Sequence, residues 1–389
     1  MKVLFLISKR FDEDLDISTR IETVRNLKKL RVDVYLVLPY HSAKIPTYGQ
    51  YGIEENLIFI KTFKQRVLFS VIYVFNLFFF LFKTLLDIDF VIVDDITFFS
   101  IMPFAILRKF GLFKRNKFVY DIRSIPVETH DLISKLKEKF FFMSLKMAAF
   151  FLDGILVISD SMRRLVTRMV GLPEEKIGIY TSGVNIDFFD PTKVKTLKRD
   201  DHDKFVIMYH GTLSKNRGIL ETIYALQKVK NTLRNVELII LGEGVLRSTI
   251  QKLIMKLDLR DYVKIYNAVP FNEVARAISQ CDVGIVPLPN ILWWTISSPL
   301  KLLEYLAMEK PVILTDIPAH REIVGNHKCC FFIKNHSPDE IAKGIFKAYK
   351  SKKYLRQMGR EGRELVLNEY TWEKQAFRIV SFLKKIYSE

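Results

Sequence analysis

The sequence has little cysteine: three residues in 389, with Cys329 and Cys330 adjacent and Cys281 distant. They offer no metal-ligand spacing and no disulfide framework, which fits a reducing compartment. There is no internal repeat of solenoid length and no low-complexity tract. A secretory leader is not expected, because the apolar run after Lys2 is short and Lys9 and Arg10 follow it at once. That run reads as a buried first strand. No recognition helix and no aromatic-and-basic sheet motif stand out, so charge alone does not make this a nucleic-acid-binding protein.

What is present is positive charge and aromatic surface. Lys and Arg number 60 against 43 Asp and Glu, a net charge of +17. Such an excess attracts phosphate, whether on lipid headgroups or on small molecules. Thirty-one Phe and sixteen Tyr exceed what a soluble core needs, so some are expected at a surface that meets something apolar.

Short Val- and Ile-rich runs alternate with helical stretches along the chain. Expected strands are Val3–Ile7, Val32–Leu38, Leu57–Ile60, Phe90–Val93, Phe118–Tyr120 and Gly154–Ile158. A second series is Phe205–Tyr209, Glu237–Leu241, Val263–Tyr266, Val283–Val286 and Pro311–Leu314. Continuous apolar strands separated by helices indicate parallel sheets covered on both faces. Two series indicate an α/β protein of two doubly wound, Rossmann-like lobes. The polar stretch Asp190–Asp203 reads as the linker, giving lobes 1–195 and 203–371. A last helix over 372–389 is expected to pack back on the first lobe.

Two segments bear on membranes. Val67–Phe82 is apolar except for Ser70 and Asn76. Sixteen helical residues span about 24 Å, short of the roughly 30 Å hydrocarbon core; the favoured reading is a helix mostly buried against the sheet, with a partly lipid-immersed helix as the alternative and a spanning helix disfavoured. Lys135–Met147 interleaves Lys135, Lys137, Lys139 and Lys146 with Phe140, Phe141 and Phe142. A basic, Phe-rich helix near 135–147 is expected to meet an anionic membrane surface, with a core-facing helix as the competing reading.

The chemistry-bearing residues cluster in the second lobe. The strand Phe205–Tyr209 ends at His210-Gly211, a polar turn Thr212-Leu213-Ser214-Lys215-Asn216-Arg217 follows, and a helix starts near Gly218. A glycine there lets a ligand approach backbone. The helix N-terminus suits phosphate, and Lys215 and Arg217 add charge beside it. Downstream, Ser297 or Ser298 is expected to cap a helix with Pro299 at its first position. Leu300, Lys301 and Glu304 lie in its first turns, where Glu304 can accept from a ribose diol; a surface salt bridge is its ordinary fate.

The ordered set is more specific than any member: this turn, Gly242-Glu243-Gly244, Asn267–Pro270, Asp282–Pro287, then Pro299–Glu304. It resembles the donor lobe of retaining glycosyltransferases of family 4, the group 1 glycosyltransferases with the GT-B fold. Leu152–Asp160, Gly171–Ile177 with Ser182–Phe189, and Tyr370–Trp372 are similar to that family's remaining landmarks. The resemblance implies two Rossmann-like lobes with an interlobe cleft and a nucleoside-diphosphate sugar as donor. It implies donor contacts from Gly211, Thr212, Lys215, Arg217, Gly218, Glu243, Ser298, Pro299, Leu300, Lys301 and Glu304. Thr212 stands where the family usually has an Arg, and Lys215 or Lys301 can substitute for the missing cation. Ile296 stands where the first of the family's two glutamates would fall.

In the first lobe, Arg123 and His130 are the candidates to face the transferred sugar, and with Arg217 and Lys301 they complete the catalytic set. Asp16, Ser18 and Arg20 are assigned to the acceptor side. Charge building on the leaving diphosphate would be met by helix ends and Arg217, so neither metal nor cofactor is expected. The carboxylates Asp87, Asp89, Asp94 and Asp95 read as ordinary loop residues. The family implies a front-face, configuration-retaining transfer to a lipid-linked or glycan acceptor, on the cytoplasmic side and peripheral to the inner face of the cell membrane. A nucleotide-sugar epimerase of the same architecture and a non-catalytic glycosyltransferase-like subunit are the alternatives.

Overall fold

The computed structural model describes residues 1–9, 17–40, 52–63, 66–113, 115–126, 132–194 and 204–388. The chain divides into two compact units, Met1–Ser182 with Trp372–Glu389, and Gly183–Thr371.

The first unit runs β1 (Lys2–Leu6), α1 (Ile17–Lys29), β2 (Asp33–Tyr40), β3 (Leu57–Lys61), α2 (Arg66–Thr84), β4 (Phe90–Val93), α3 (Phe98–Lys109), β5 (Lys117–Ile122), α4 (Leu132–Phe151), β6 (Gly154–Val157), α5 (Asp160–Val170) and β7 (Ile177–Ile179). Its seven parallel strands lie in the order β3-β2-β1-β4-β5-β6-β7. β1, β4 and β6 are buried along almost their whole length, as a sheet covered on both faces requires.

The second unit runs β8 (Phe205–His210), α6 (Ile219–Val229), β9 (Val236–Leu241), α7 (Arg247–Lys256), β10 (Val263–Tyr266), α8 (Phe271–Ser279), β11 (Val283–Val286), α9 (Leu292–Thr295), α10 (Leu300–Ala307), β12 (Val312–Thr315), α11 (Pro318–Val324), β13 (Cys330–Ile333), α12 (Pro338–Lys350) and α13 (Leu355–Glu369). Its six parallel strands follow the order β10-β9-β8-β11-β12-β13. The direction of winding reverses between β8 and β11. In open α/β sheets, ligands bind beyond the carboxyl ends of the strands at such a reversal.

All the expected strands form, with ends shifted by one or two residues. β7 and β13 were not foreseen. β7 is only three residues long, and β13 begins at the cysteine pair, where apolar character is masked by composition. The passage between units falls at Ser182, earlier than the polar stretch 190–203 implied. Val184 N donates to Tyr370 O and Arg363 Nη2 lies 3.2 Å from Asp190 Oδ1, so the segment after Ser182 already belongs to the second unit. Residues 195–203 lie outside those described.

The segment Val67–Phe82 departs from expectation. In α2, Tyr73, Leu77 and Leu81 are fully buried, and the Tyr73 hydroxyl donates to Ile7 O at 2.9 Å. The opposite face is open: Val71, Phe75, Phe79 and Phe82 are 65, 60, 47 and 68% exposed. The helix is apolar all round, yet a single sheet can cover only one stripe of it.

The last helix, α14 (Trp372–Ser388), is part of the first unit. Its Phe382 lies flat on two strands that carry glycine for the purpose. A Cβ at Gly178 would come within 2.5 Å of the Phe382 ring, and one at Gly154 within 2.8 Å. Replacing Phe382 with Ala empties that contact and should cost about 3 kcal/mol. Urea unfolding followed by a first-unit probe should show the midpoint fall; an unchanged midpoint would mean that α14 docks through other residues.

Candidate functional site

The site grows from four glycines beyond the ends of β8 and β9. Gly211 follows β8 with φ +114°, and Gly218 opens α6 with φ +72°. A Cβ at Gly242 would lie 2.0 Å from the Gly211 carbonyl oxygen, and one at Gly244 2.3 Å from that of Leu213. One at Gly218 would lie 2.1 Å from the Pro287 carbonyl oxygen, beyond β11. These are backbone-on-backbone approaches at positive φ, which only glycine permits. Leu213 N donates to Glu243 O at 2.7 Å and sews the first two loops together.

α10 starts one residue later than expected. Pro299 occupies the capping position and Leu300 is the first helical residue, with no side-chain cap. Ser297 Oγ donates instead to Trp294 O at 2.9 Å, and Ser298 is buried. α6 has no side-chain cap either. The capping residues Pro299 and Gly218 carry no side-chain acceptor of their own for the first N–H groups, which suits these helix starts to an anion.

Two bridges connect these helix starts. Lys301 from α10 reaches β8: its Nζ lies 4.2 Å from the centre of the Tyr209 ring, and a Cβ on Gly211 would be 3.2 Å from it. Arg217 stacks on Trp294, 4.9 Å from the ring centre, and its Nε donates to Ser214 Oγ at 2.9 Å. Trp294 Nε1 in turn donates to Asn216 O at 2.6 Å. The loop after β8 and the loop before α10 thus form one wall.

The electrostatics of that wall are unusual. Lys301 Nζ is buried and has no hydrogen-bond partner among the described residues. Burial and the neighbouring Arg217 guanidinium push its pKa down to about 7, although Glu304 pulls the other way. Burial pushes Glu304 up to about 7, against the pull of Lys301. Burial and Lys301 push His210 down to about 3. His210 Nε2 lies 3.3 Å from Glu304 Oε2 without hydrogen-bond geometry, and the imidazole is neutral, so this is not an ion pair. A dry cation with no acceptor of its own is a receptor for an incoming anion. The Glu304 carboxylate is 6% exposed and turned inward, which removes the surface-salt-bridge reading.

Sequence reasoning named Gly211, Thr212, Arg217, Gly218, Ser298, Pro299, Leu300, Lys301 and Glu304, and these surround the point where the strand order reverses. Thr212 contributes a carbonyl, which accepts from the Tyr209 hydroxyl at 3.2 Å. Lys215 is exposed on the turn. The Glu243 side chain points to Arg247, 3.4 Å away, and only its carbonyl enters the loop contacts. Ile296 is 4% exposed. His210, Tyr209 and Trp294 were assigned no role. The available signal was the run Tyr209-His210-Gly211, in which a titratable ring sits at the last strand position before the glycine.

In the first unit, Arg20 is no free acceptor-side ligand. It is buried, pairs with Asp121, and donates to the Tyr180 hydroxyl at 2.9 Å. That hydroxyl donates to Asp121 Oδ2 at 2.8 Å. Arg123 lies over the Tyr180 ring, 4.9 Å from its centre, and its buried Nη1 has no hydrogen-bond partner among the described residues. Arg123 therefore sits at the carboxyl end of β5, beside this network. Ser18 falls in α1, whereas Asp16 and His130 lie outside the described residues. Asp94 is a loop organiser: its carboxylate accepts from Ser8 N and Oγ and from Thr97 N and Oγ1.

Comparison with known proteins agrees with this geometry. Two parallel-sheet α/β units of this topology define the GT-B class. The chain aligns over 99% of its length with Anabaena Alr3699/HepE solved in complex with UDP, covering 100% of that chain, with a TM-score of 0.74 at 15% identity. In sequence, residues 192–365, which lie within the second unit, match the family model of group 1 glycosyl transferases. Relatives include the putative glycosyltransferase EpsD of Bacillus subtilis, 28% identical over 197 residues, 49% of each chain. The capsular polysaccharide biosynthesis glycosyltransferase CapM of Staphylococcus aureus is 25% identical over 285 residues, 69% of this chain and 71% of that one. The chain spans about half the length of EpsD and 59% of the next curated relative, an uncharacterised glycosyltransferase of Methanocaldococcus jannaschii.

The buried pair makes two pH predictions. In the unliganded protein, Glu304 binds a proton more tightly folded than unfolded, so its stabilisation is lost as pH rises from about 4.5 to about 7. Lys301 binds its proton less tightly folded, so stability is regained as pH rises from about 7 towards 10.5. The second unit should be least stable near pH 7, as thermal scans across pH would show. An anion at Lys301 favours the ammonium form. Affinity for a nucleoside-diphosphate sugar should therefore be full below pH 7 and fall as pH rises above it. Calorimetry at pH 8 in two buffers of different ionisation enthalpy should detect proton uptake. Lys301→Arg, which stays charged, should abolish both the uptake and the fall.

Proposed function

We propose that the chain is a glycosyltransferase that takes a sugar from a nucleoside-diphosphate donor. The observation that carries this is the partnerless Lys301 ammonium beside Gly211, joined through Arg217 and Trp294 to the start of a second helix, α6. A diphosphate set there is met by two helix dipoles, a bidentate guanidinium and a buried amine. Glu304, held inward beside His210, is the partner for the ribose hydroxyls. The UDP in the HepE complex and the polysaccharide role in the name of CapM support this reading.

The reaction breaks the bond between the anomeric carbon and the diphosphate, and negative charge gathers on the leaving group. In this proposal Arg217, Lys301 and the two helix ends carry that charge in place of a metal, worth most where water is excluded. The departing diphosphate itself takes the proton from the acceptor hydroxyl on the face it leaves, so no strong enzymic base is needed. The configuration is then retained, as in family 4. The acceptor is a lipid-linked or glycan molecule at the cytoplasmic face of the membrane, and Arg123 is the first-unit residue assigned to the transferred sugar.

Arg217→Ala and Glu304→Gln separate the parts. Loss of the guanidinium should weaken binding of uridine diphosphate ten- to a hundredfold, from about 1.5–3 kcal/mol for a charge-assisted contact. Glu304→Gln should weaken uridine diphosphate but leave inorganic diphosphate almost unchanged. Wild-type affinity in the Arg217 variant would remove the diphosphate from this wall. A screen of nucleotide sugars by product release would then establish activity, and binding without release would make the chain a non-catalytic partner.

A further inference from the structure

We infer that the layer α2–α3–α4 of the first unit is a bilayer-docking surface, with the outer face of α2 as its inserting element. This rests on the membrane-facing part of the proposal above but names a different surface from the basic helix alone. Within α4, Phe141 and Leu145 turn into the core, so that helix presents fewer rings than its sequence promises.

The missing apolar surface is supplied by α2. Phe75 and Phe79 stack edge to face at 4.7 Å on its outer side, and Phe82 continues the row. Phe78 links α2 to α3 through Phe104, with ring centres 5.2 Å apart. Phe99 of α3 meets Phe140 of α4 at 6.3 Å. Lys109 of α3 sits 3.5 Å over the ring of Phe150. Ring contacts, one of them through the buried Phe104, thus tie the three helices into one layer that carries exposed rings on α2 and α4. Phe110, just past α3, is 81% exposed. Aromatic rings exposed in a row, as on α2, are rarely left to water.

Charge identifies the occupant. α2, α3 and α4 carry eight Lys and Arg and a single acid, Glu138. Lys83, Lys109, Lys135, Lys137, Lys139 and Lys146 are all exposed. Aromatic rings surrounded by ammonium groups fit an interface of acyl chains beneath anionic headgroups, since rings and amines each find their medium within one layer.

Length and packing set the depth. The apolar window Phe69–Asp87 has mean hydropathy 1.9 and is 28% buried. Its 19 residues would measure about 28 Å, close to a hydrocarbon core. It does not cross, because Tyr73, Leu77 and Leu81 are seated on the sheet and leaving it would strip that core. The helix therefore lies in the plane of the interface, its inner stripe on protein and its outer stripe in lipid.

The test is sedimentation of the full chain with vesicles of phosphatidylcholine, alone or with an equal part of phosphatidylglycerol. The expected result is binding to the anionic vesicles that weakens with salt. The triple variant Phe75→Ser, Phe79→Ser, Phe82→Ser should lower partition at least about tenfold. These positions are solvent-facing, and an unchanged circular dichroism melt shows that the fold survives. Uridine diphosphate affinity should stay at the wild-type value in that variant, which keeps this test separate from that of the donor site. The inference is overturned if the chain stays in the supernatant with both lipids. It is overturned equally if Lys137→Gln with Lys139→Gln abolishes binding while the triple variant does not, since α4 alone would then suffice. A dimer that the triple variant dissolves would assign the surface to a second copy and also overturn it.

Discussion

The reversal of strand order between β8 and β11 is the constraint on which the site depends. Chains leaving neighbouring strands in opposite directions open a gap beyond the sheet, and no regular element fills it. Here the gap is narrowed until the Pro287 carbonyl oxygen, beyond β11, stands where a Cβ on Gly218 would have to lie. Tyr305 packs over Gly284 of β11 and donates to Met208 O of β8 at 2.6 Å, so α10 is tied to both strands. The start of α10, with Lys301, has nowhere else to point.

That fixed position has an electrostatic consequence. Lys301 and Glu304 sit one helical turn apart on the inner side of α10, in a space too dry for either charge to be comfortable. Neither neutralises the other through a hydrogen bond, and His210 is forced neutral beside them. Natural cores rarely tolerate such an arrangement without a reason, because an unpaired buried charge costs more than it returns. Strain in the free protein that a bound anion relieves is how a binding site stores selectivity for charge.

The first unit uses the same architecture differently. Its buried polar network, Arg20 with Asp121 and Tyr180, is largely satisfied internally and braces the sheet near its own strand-order reversal. Its distinctive feature lies on the covering layer instead. A globular unit normally hides a helix as apolar as α2, and covering only one stripe of it leaves a surface that solvent does not favour. The two units thus differ in character, one holding a buried amine without a partner among the described residues and the other carrying exposed rings and lysines on its covering helices.

Much of this was legible in the chain. Val- and Ile-rich runs of strand length specify parallel strands because both faces of such a sheet are buried, and the glycines after β8 and β9 announce close backbone approach. The resemblance of the ordered motifs gave the two-lobed fold and nine residues that do surround the reversal. The sequence could not show that Lys301 would be dry and without an acceptor, since burial of one Nζ depends on α10, with Glu304, coming up against Tyr209 and Gly211 at the end of β8. Nor could it orient α2: a helix that is apolar on every side has no periodicity to say which stripe faces the sheet. The cap of α10 also slipped by one residue, because Ser297 found its partner in Trp294 O, a group that only the folded loop brings near. Local pattern determined which elements exist and what each can bind; tertiary packing decided which side chains lose their water, and function resides in those.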